Sequence, residues 1–268
     1  MSVDPVPDAS VSFWSALERE LAQWPSDEMA ATFWLRDDDA TAATPALDRL
    51  LDISNRDSAP VAIAAIPKSL HPSLPGVLKN QRAVRVLQHG FAHRNHAVGI
   101  EKKAWELGLH RPVTAVIDEL AVGRDALSAR FGEQFFPVMT PPWNRIDRRL
   151  LPDLRRSGFI GLSAFGQRES SHPLPGFTEA NTHFDLLRWK GGAQFQGESA
   201  AERDIVGHLQ RRRLGFAERD EPTGILSHHL VMDEAAWRFL SEFARYVASH
   251  SRARWLSAGE VFGASGWT

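Results

Sequence analysis

Thr32-Phe33-Trp34-Leu35-Arg36-Asp37-Asp38-Asp39-Ala40 is an apolar run that ends in an arginine and three consecutive carboxylates. Its apolar part, Thr32–Leu35, has the length and the aromatic and β-branched content of a buried strand, and the charges mark where that strand leaves the core. Seven further runs of the same kind read as strands: Val61–Ile66, Val84–Gln88, Phe136–Met139, Ile160–Ala164, Asp185–Trp189, Gly224–Ser227 and Arg254–Leu256. Between them, Phe13–Trp24, Pro45–Asn55, Pro112–Phe131, Asp147–Arg156, Ala200–Arg219 and Glu234–His250 carry apolar residues at three- and four-residue spacing, as helices with one face on a core do. In the last of these, Ala235, Phe239, Phe243 and Val247 form the expected buried stripe. Thr44 ahead of Pro45, and Asp233 ahead of Glu234, are helix start signals. Strands alternating with helices predict a single α/β barrel, and such barrels use about 250 residues as one domain.

Residues 1–10 contain Pro and Asp without a basic start or an apolar core, and they are expected to form a flexible N-terminus ahead of one barrel domain over 11–268. With no stretch of 18 apolar residues, a cytoplasmic protein without a membrane partner is expected. Pro67–Gln81 and Gly166–Thr182 are rich in Pro, Gly, Ser and His and lack a clear period; they read as long loops, the kind that form lids or substrate walls. The formal net charge of -2, with no strong cluster of Lys and Arg, argues against a nucleic-acid partner, and Arg211-Arg212-Arg213 reads as a solvated helix face. The absence of cysteine excludes disulfides, thiolate nucleophiles and Cys-type zinc sites, so a transition metal would have to be held by His and carboxylate.

Polar clusters follow four of the strand candidates, and the C-terminal ends of barrel strands are where active sites are built. Three adjacent acids at Asp37-Asp38-Asp39 repel one another and call for a cation, either Arg36 or a metal; a helix-start acidic turn is the plainer reading. After Val84–Gln88 come His89 and His93, four apart, which a turn or short helix can present on one side as metal ligands. In Thr140-Pro141-Pro142-Trp143-Asn144-Arg145 the prolines leave few free amides, so the Trp143 N–H can serve as an oxyanion donor or the segment can simply be a rigid turn. Ser227-His228-His229 ends a further strand, where a histidine suits proton donation at neutral pH or plain structural hydrogen bonding.

These clusters, in this order from Thr32 to His229, resemble the motifs of the polysaccharide deacetylase superfamily, the NodB-homology or carbohydrate esterase family four proteins, in a divergent form. The resemblance implies a distorted (β/α)7-8, TIM-like barrel of the glycoside hydrolase and deacetylase type. It implies a metal-dependent hydrolase that removes an acetyl group from an N-acetylated, sugar-like substrate, acting on a non-peptide C–N bond. By this resemblance Asp38 is the catalytic base, Asp39, His89 and His93 hold zinc or another divalent transition metal, and His228, in Leu226-Ser227-His228, is the general acid. The alternative register pairs Asp37 with Asp38, and a slip of one residue would exchange His228 with His229. Trp143 supplies the oxyanion donor. Asp185 and Trp189 resemble the Asp and Trp of the fourth motif, and Asp185 is expected to pair with a nearby Arg. The sequence departs from the pattern at Thr140, where the family has an Arg that orients the base, leaving Arg36 or Arg145 to substitute. Ala40 replaces the usual glycine.

The expected partner is a carbohydrate or another small molecule. An amidohydrolase on a non-sugar C–N bond and a catalytically silent binding protein of the same fold are the alternatives, the second motivated by Thr140. Nine tryptophans can include sugar platforms, but Trp34, Trp105 and Trp237 sit in apolar patterns and are expected in the core. His71, His96, His110, His172, His183 and His208 have no assigned role. Nothing in these residues indicates the oligomeric state.

Overall fold

In the computed structural model, which describes residues 12–26 and 29–263, the run at Thr32 is a ten-residue strand, β1 (Ala31–Ala40). It exceeds its apolar part because Arg36, Asp37 and Asp38 are buried as well. The expected flexible residues 1–10 lie outside the described residues. The remaining elements follow in order as α1 (Phe13–Leu21, ahead of β1), α2 (Pro45–Arg56), β2 (Val61–Ala65), α3 (Ser73–Leu78), β3 (Val84–His89), α4 (Val113–Phe131), β4 (Phe135–Thr140), α5 (Leu151–Arg156), β5 (Gly161–Leu162), β6 (Thr178–Glu179), β7 (Phe184–Asp185), β8 (Leu187–Arg188), β9 (Gln194–Phe195), α6 (Glu198–Ala201), α7 (Gly207–Leu214), β10 (Thr223–Ser227), α8 (Glu234–Ser249), β11 (Ala253–Trp255) and α9 (Ala258–Val261). The Thr44 and Asp233 side chains cap α2 and α8 by accepting from Leu47 and Ala236 amides.

The main sheet runs β6-β5-β4-β3-β2-β1-β10-β7, with β11 beside the start of β1, and its strand pairs are parallel. Its two edges belong to one chain segment. The Thr178, Ala180 and Thr182 amides donate to the carbonyls of Ile160, Leu162 and Ala164, and then the His183 and Leu186 amides donate to Gly224 and Leu226. The segment thus changes partner from β5 to β10 and closes the sheet into a distorted (β/α)7-8 barrel. Among the described residues no helix is long and apolar enough to cross a membrane.

Side chains alternate along β1, as the pleat requires. Phe33 and Leu35 join the large cluster with α1, α2 and α8, while Trp34 packs with Ala62, Ala64, Leu87, Val138 and Ala180 in a separate cluster. Small alanines on β2 leave the volume that Trp34 and Arg36 fill inside the barrel, and Phe262, just after α9, stands edge-on to Trp34 with ring centroids 5.7 Å apart. On α8 the buried stripe is Ala236, Trp237, Phe239, Leu240, Phe243, Ala244 and Val247. Ala235 is only half-buried, because Trp237 and Leu240 shift the apolar face by a fraction of a turn. Each large side chain of this stripe contributes about 2 kcal/mol of burial.

Four expectations need correction. Arg212, expected on a solvated helix face with Arg211 and Arg213, is buried, its guanidinium donating to the Thr32 carbonyl at 3.0 Å and to the Thr32 and Thr223 hydroxyls at 2.8 and 3.1 Å. Pro67–Gln81 holds α3, with Leu74 and Leu78 buried; its Pro and Gly hid a short helix. Gly166–Thr182 ends in β6, part of the closing segment, whose register comes from its neighbours and not from an apolar pattern of its own. Trp105 is half-buried rather than in the core, its indole N–H donating to Glu101 at 2.9 Å.

The crossing of the closing segment over β10 is tight. A Cβ on Gly224 would lie 2.4 Å from the Asn181 carbonyl oxygen and 2.7 Å from the Thr182 Cα, both backbone atoms that cannot swing aside. Gly224→Ala is therefore expected to cost about 3 kcal/mol or more, read as a fall in the denaturant midpoint; an unchanged midpoint would show that the closure is loose.

Candidate active site

The site is built where β1 stops being regular. Its pairing with β2 shifts register between Asp37 and Ala40, and Asp39 adopts φ 73°, a left-handed conformation that costs a non-glycine residue energy. Of the five described non-glycine residues with positive φ, four are Asp39, His93, Trp143 and Asn144. Backbone strain is thus concentrated where the polar clusters meet.

The irregularity sends the three carboxylates to three different partners. Asp38 receives both edges of the Arg36 guanidinium, Nε to Oδ1 and Nη2 to Oδ2, each at 2.9 Å. Arg36 is fully buried, and its remaining bonds go to the Ser163 carbonyl (2.8 Å) and hydroxyl (2.6 Å), the Ala164 carbonyl (3.1 Å) and the Asn144 side-chain oxygen (2.6 Å). Arg145 does not approach Asp38; its guanidinium donates to the Ala104 carbonyl at 3.2 Å. Asp37 faces β10, accepting from the Ser227 hydroxyl at 2.7 Å, the His229 amide at 2.9 Å and His229 Nδ1 at 2.5 Å.

Asp39 turns to the histidines, its Oδ1 lying 3.1 Å from His89 Nε2 and 3.4 Å from His93 Nε2. Burial alone would raise the Asp39 carboxyl, but the hydrogen bond and charge of His89, with lesser contributions from His93 and His228, hold it well below the usual carboxylate range. His93 is lowered, first by burial and then by the charge of His89, which favours neutral imidazole. His89 is raised: burial opposes this, but Asp38 and Asp39 outweigh it.

The geometry fits a divalent ion. Two ligand atoms on a tetrahedral zinc lie about 3.3 Å apart, given bond lengths of about 2.0–2.1 Å. The observed separations match, and Asp39 Oδ1 is a buried oxygen that faces both imidazole nitrogens. His89 Nδ1 donates to the Thr140 carbonyl at 3.0 Å, which fixes the tautomer that leaves Nε2 free as a ligand. The loop carrying His93 is pinned by the buried Glu106, whose carboxylate accepts from the Phe91 and Ala92 amides at 3.3 and 2.7 Å. Trp143 packs edge-on against His93 with centroids 4.4 Å apart.

His228 stands at the end of β10 with its Nδ1 3.7 Å from Asp185 Oδ1, and the half-exposed Trp189 covers it edge-on at 4.7 Å while donating to Asp185 at 2.9 Å. Burial raises the Asp185 carboxyl, with the charge of His228 opposing. Asn144, Ser163 and Glu106 carried no separate signal in the sequence, although Asn144 follows Trp143 and Ser163 lies within a strand candidate.

A second group, His183, His208 and Glu221, also gathers its donor atoms, but fails the same test. His183 Nδ1 accepts from the Gly224 amide at 3.0 Å, so its proton is on Nε2, facing Glu221 Oε1 at 3.2 Å. The two imidazoles stack with centroids 3.5 Å apart and planes at 20°, so their in-plane lone pairs run nearly parallel and do not converge on one ion. This is a buried hydrogen-bonded clamp between α7 and the closing segment.

No family model and no curated protein matches the chain by sequence. Solved structures do match its fold. A protein of Mycobacterium smegmatis assigned as a polysaccharide deacetylase is 15% identical, with a TM-score of 0.58 over 98% of this chain and 93% of that one. A carbohydrate esterase family four esterase of Streptococcus mutans is 11% identical, with a TM-score of 0.55 over 88% and 89%. The chitin deacetylase of the fungus Colletotrichum lindemuthianum is 16% identical, with a TM-score of 0.53 over 87% and 88%. The chain therefore has the fold of these proteins.

The buried clamp sets a pH dependence of stability. Burial lowers His208 to about 3, below its ordinary value of about 6.5, so the unfolded chain takes up a proton that the folded chain refuses. Stability present above about 6.5 is then lost as pH falls towards 3. Glu221 is lowered to about 2, its hydrogen bond with His183 and the nearby His208 outweighing burial, and its contribution is lost below about 4.5. Denaturant unfolding at pH 5 is expected to show a loss of up to about 2 kcal/mol relative to pH 7, and a smaller loss in His208→Asn. Equal pH slopes in the two proteins would contradict the assignment.

Proposed function

We propose that the protein is a divergent member of the polysaccharide deacetylase superfamily: a metal-dependent hydrolase that removes an acetyl group from an N-acetylated substrate, a sugar by preference. The observation that carries this reading is the division of one strand end into an arginine-braced carboxylate, Asp38, and a neighbouring carboxylate, Asp39, that meets two imidazole nitrogens at ligand spacing. The shared deacetylase fold supports it.

Asp39, His89 and His93 would hold zinc or another divalent transition metal. When bound, the ion supplies Lewis acidity at the acetyl carbonyl and lowers the pKa of the attacking water. Asp38 takes the proton from that water; Arg36, bonded to both its oxygens, keeps the carboxylate fixed in place. The Trp143 amide donates to the oxygen on which negative charge develops. His228 passes a proton to the departing nitrogen, and Asp185 steadies the imidazolium that precedes this transfer. Trp189 offers an exposed indole beside His228, a surface suited to a sugar face.

Thr140, in place of the family's base-orienting Arg, motivated the silent-binder reading. The Arg36 brace favours the enzyme, because the candidate base has its cation after all. Elemental analysis is expected to find about one zinc or similar ion per chain in the wild type and much less in His89→Ala. Metal absent from both, even after zinc is added at neutral pH, would overturn the metal-dependent reading. Acetate release from small N-acetylated sugars and their oligomers is expected to fall roughly 10²-fold or more in Asp38→Asn while bound metal stays near the wild-type level. Turnover that survives the substitution would remove Asp38 from the role of base.

A further inference from the structure

Asp37 has no part in the reaction proposed above, yet it is fully buried and makes three hydrogen bonds to the two residues that flank His228. The sheet explains why a carboxylate stands there. The β1 and β10 ladder ends at the pair Asp37 and Ser227, so His228 is the first residue beyond the last rung. In a regular parallel pair the next amide along β10 would donate to a β1 carbonyl. Here β1 has turned away through its register shift, with Asp39 in the left-handed region, and the His229 amide donates instead to the Asp37 side chain at 2.9 Å. The Ser227 hydroxyl at 2.7 Å and His229 Nδ1 at 2.5 Å complete the grip. The one backbone bond at His228 itself on this side is its carbonyl accepting from Val231 at 3.1 Å, within a single turn of 3-10 helix over His229–Val231.

We propose that Asp37 is a positioning residue for His228: its carboxylate replaces the sheet rung that β1 gives up, and so holds the His228 imidazole between Asp185 and Trp189. The backbone irregularity that aims Asp39 at the histidine pair would otherwise leave the opposite wall of the site without a tether. The first acid of the run, Asp37, repairs this loss. The placement of His228 stands on geometry alone; its consequence for catalysis rests on the reading of His228 as the general acid.

Asp37→Asn keeps the volume but leaves a single acceptor oxygen, so the His229 amide and His229 Nδ1 can no longer both donate to this side chain. With isotope-labelled histidine, and His228→Gln to assign the signals, the wild type is expected to show one sharp set of His228 ring resonances in a single tautomer. Asp37→Asn is expected to broaden them or average the tautomers. In the same proteins, acetate release from N-acetylglucosamine oligomers, whose amine leaving group needs a proton, should fall at least 30-fold. Hydrolysis of para-nitrophenyl acetate, whose leaving group needs none, should change less than 3-fold, and zinc affinity by calorimetry should stay within 3-fold. Ser227→Ala, which removes one of the three bonds, is the second variant should Asp37→Asn not fold, with the same effects in smaller degree. Unchanged His228 resonances in a folded variant whose His229 resonances have moved would overturn the proposal. Altered His228 resonances in a protein that cleaves neither substrate even as wild type would uphold the positioning and reject the catalytic reading instead.

Discussion

A guanidinium with no exposure is tolerable only when its donors are satisfied and its charge is met. Arg36 meets that condition through six hydrogen bonds, to Asp38, Ser163, Ala164 and Asn144. These partners come from β1, from the chain just after β5 and from the turn after β4. The barrel must therefore bring those strand ends to within one arginine's reach, and the closing segment helps by pairing with the same stretch that presents Ser163 and Ala164. Alanines at 62 and 64 leave the interior space that an arginine and a tryptophan occupy.

The same ion pair settles how three adjacent carboxylates can coexist. Regular pleating sends Asp37 and Asp38 to opposite faces of β1, one towards β10 and His229, the other into the barrel onto Arg36. Asp39 would follow Asp37 to the outer face, but the register shift and its positive φ turn it towards His89 and His93. Each acid thus has a cationic or proton-donating partner of its own. The repulsion that makes Asp-Asp-Asp conspicuous is resolved by separating the side chains, at the cost of one strained residue.

Seven of the eight expected strands have counterparts in the parallel sheet, because a buried parallel strand reads as a short apolar run with few alternatives; the eighth, Asp185–Trp189, is split between the last residue of β7 and β8, which pairs antiparallel with β9. The closing segment was hidden for the complementary reason. Thr178, Ala180 and Thr182 form no apolar run; what makes them strand-like is the row of carbonyls offered by residues 160–164, information that lies elsewhere in the chain. At the site, residues on strand ends were visible as polar letters after apolar ones, whereas Asn144, Ser163 and Glu106 act through contacts distant in sequence. The His183, His208 and Glu221 clamp had no local signature, since its members lie on three separate segments. Ala235 and Ala236 show the limit of periodicity, where neighbouring alanines leave the helix face undecided until Trp237 and Leu240 are placed.

The position of the brace has a geometric reason. Residues two apart on a strand share a face with about 6.6–6.8 Å between them along the chain, and an arginine can span that distance to reach a carboxylate two residues on with both edges of its guanidinium. The brace can thus come from the carboxylate's own strand as readily as from a neighbouring one. A brace on β1 moves with Asp38 and makes its orientation less dependent on the loop after β4. The loop after β4 adds Asn144 to the brace, and the end of β4 supports the histidines. Thr140 offers its carbonyl to His89 Nδ1 and its hydroxyl to the Gln88 carbonyl, so the residue standing where the family places an arginine steadies the histidine side of the site.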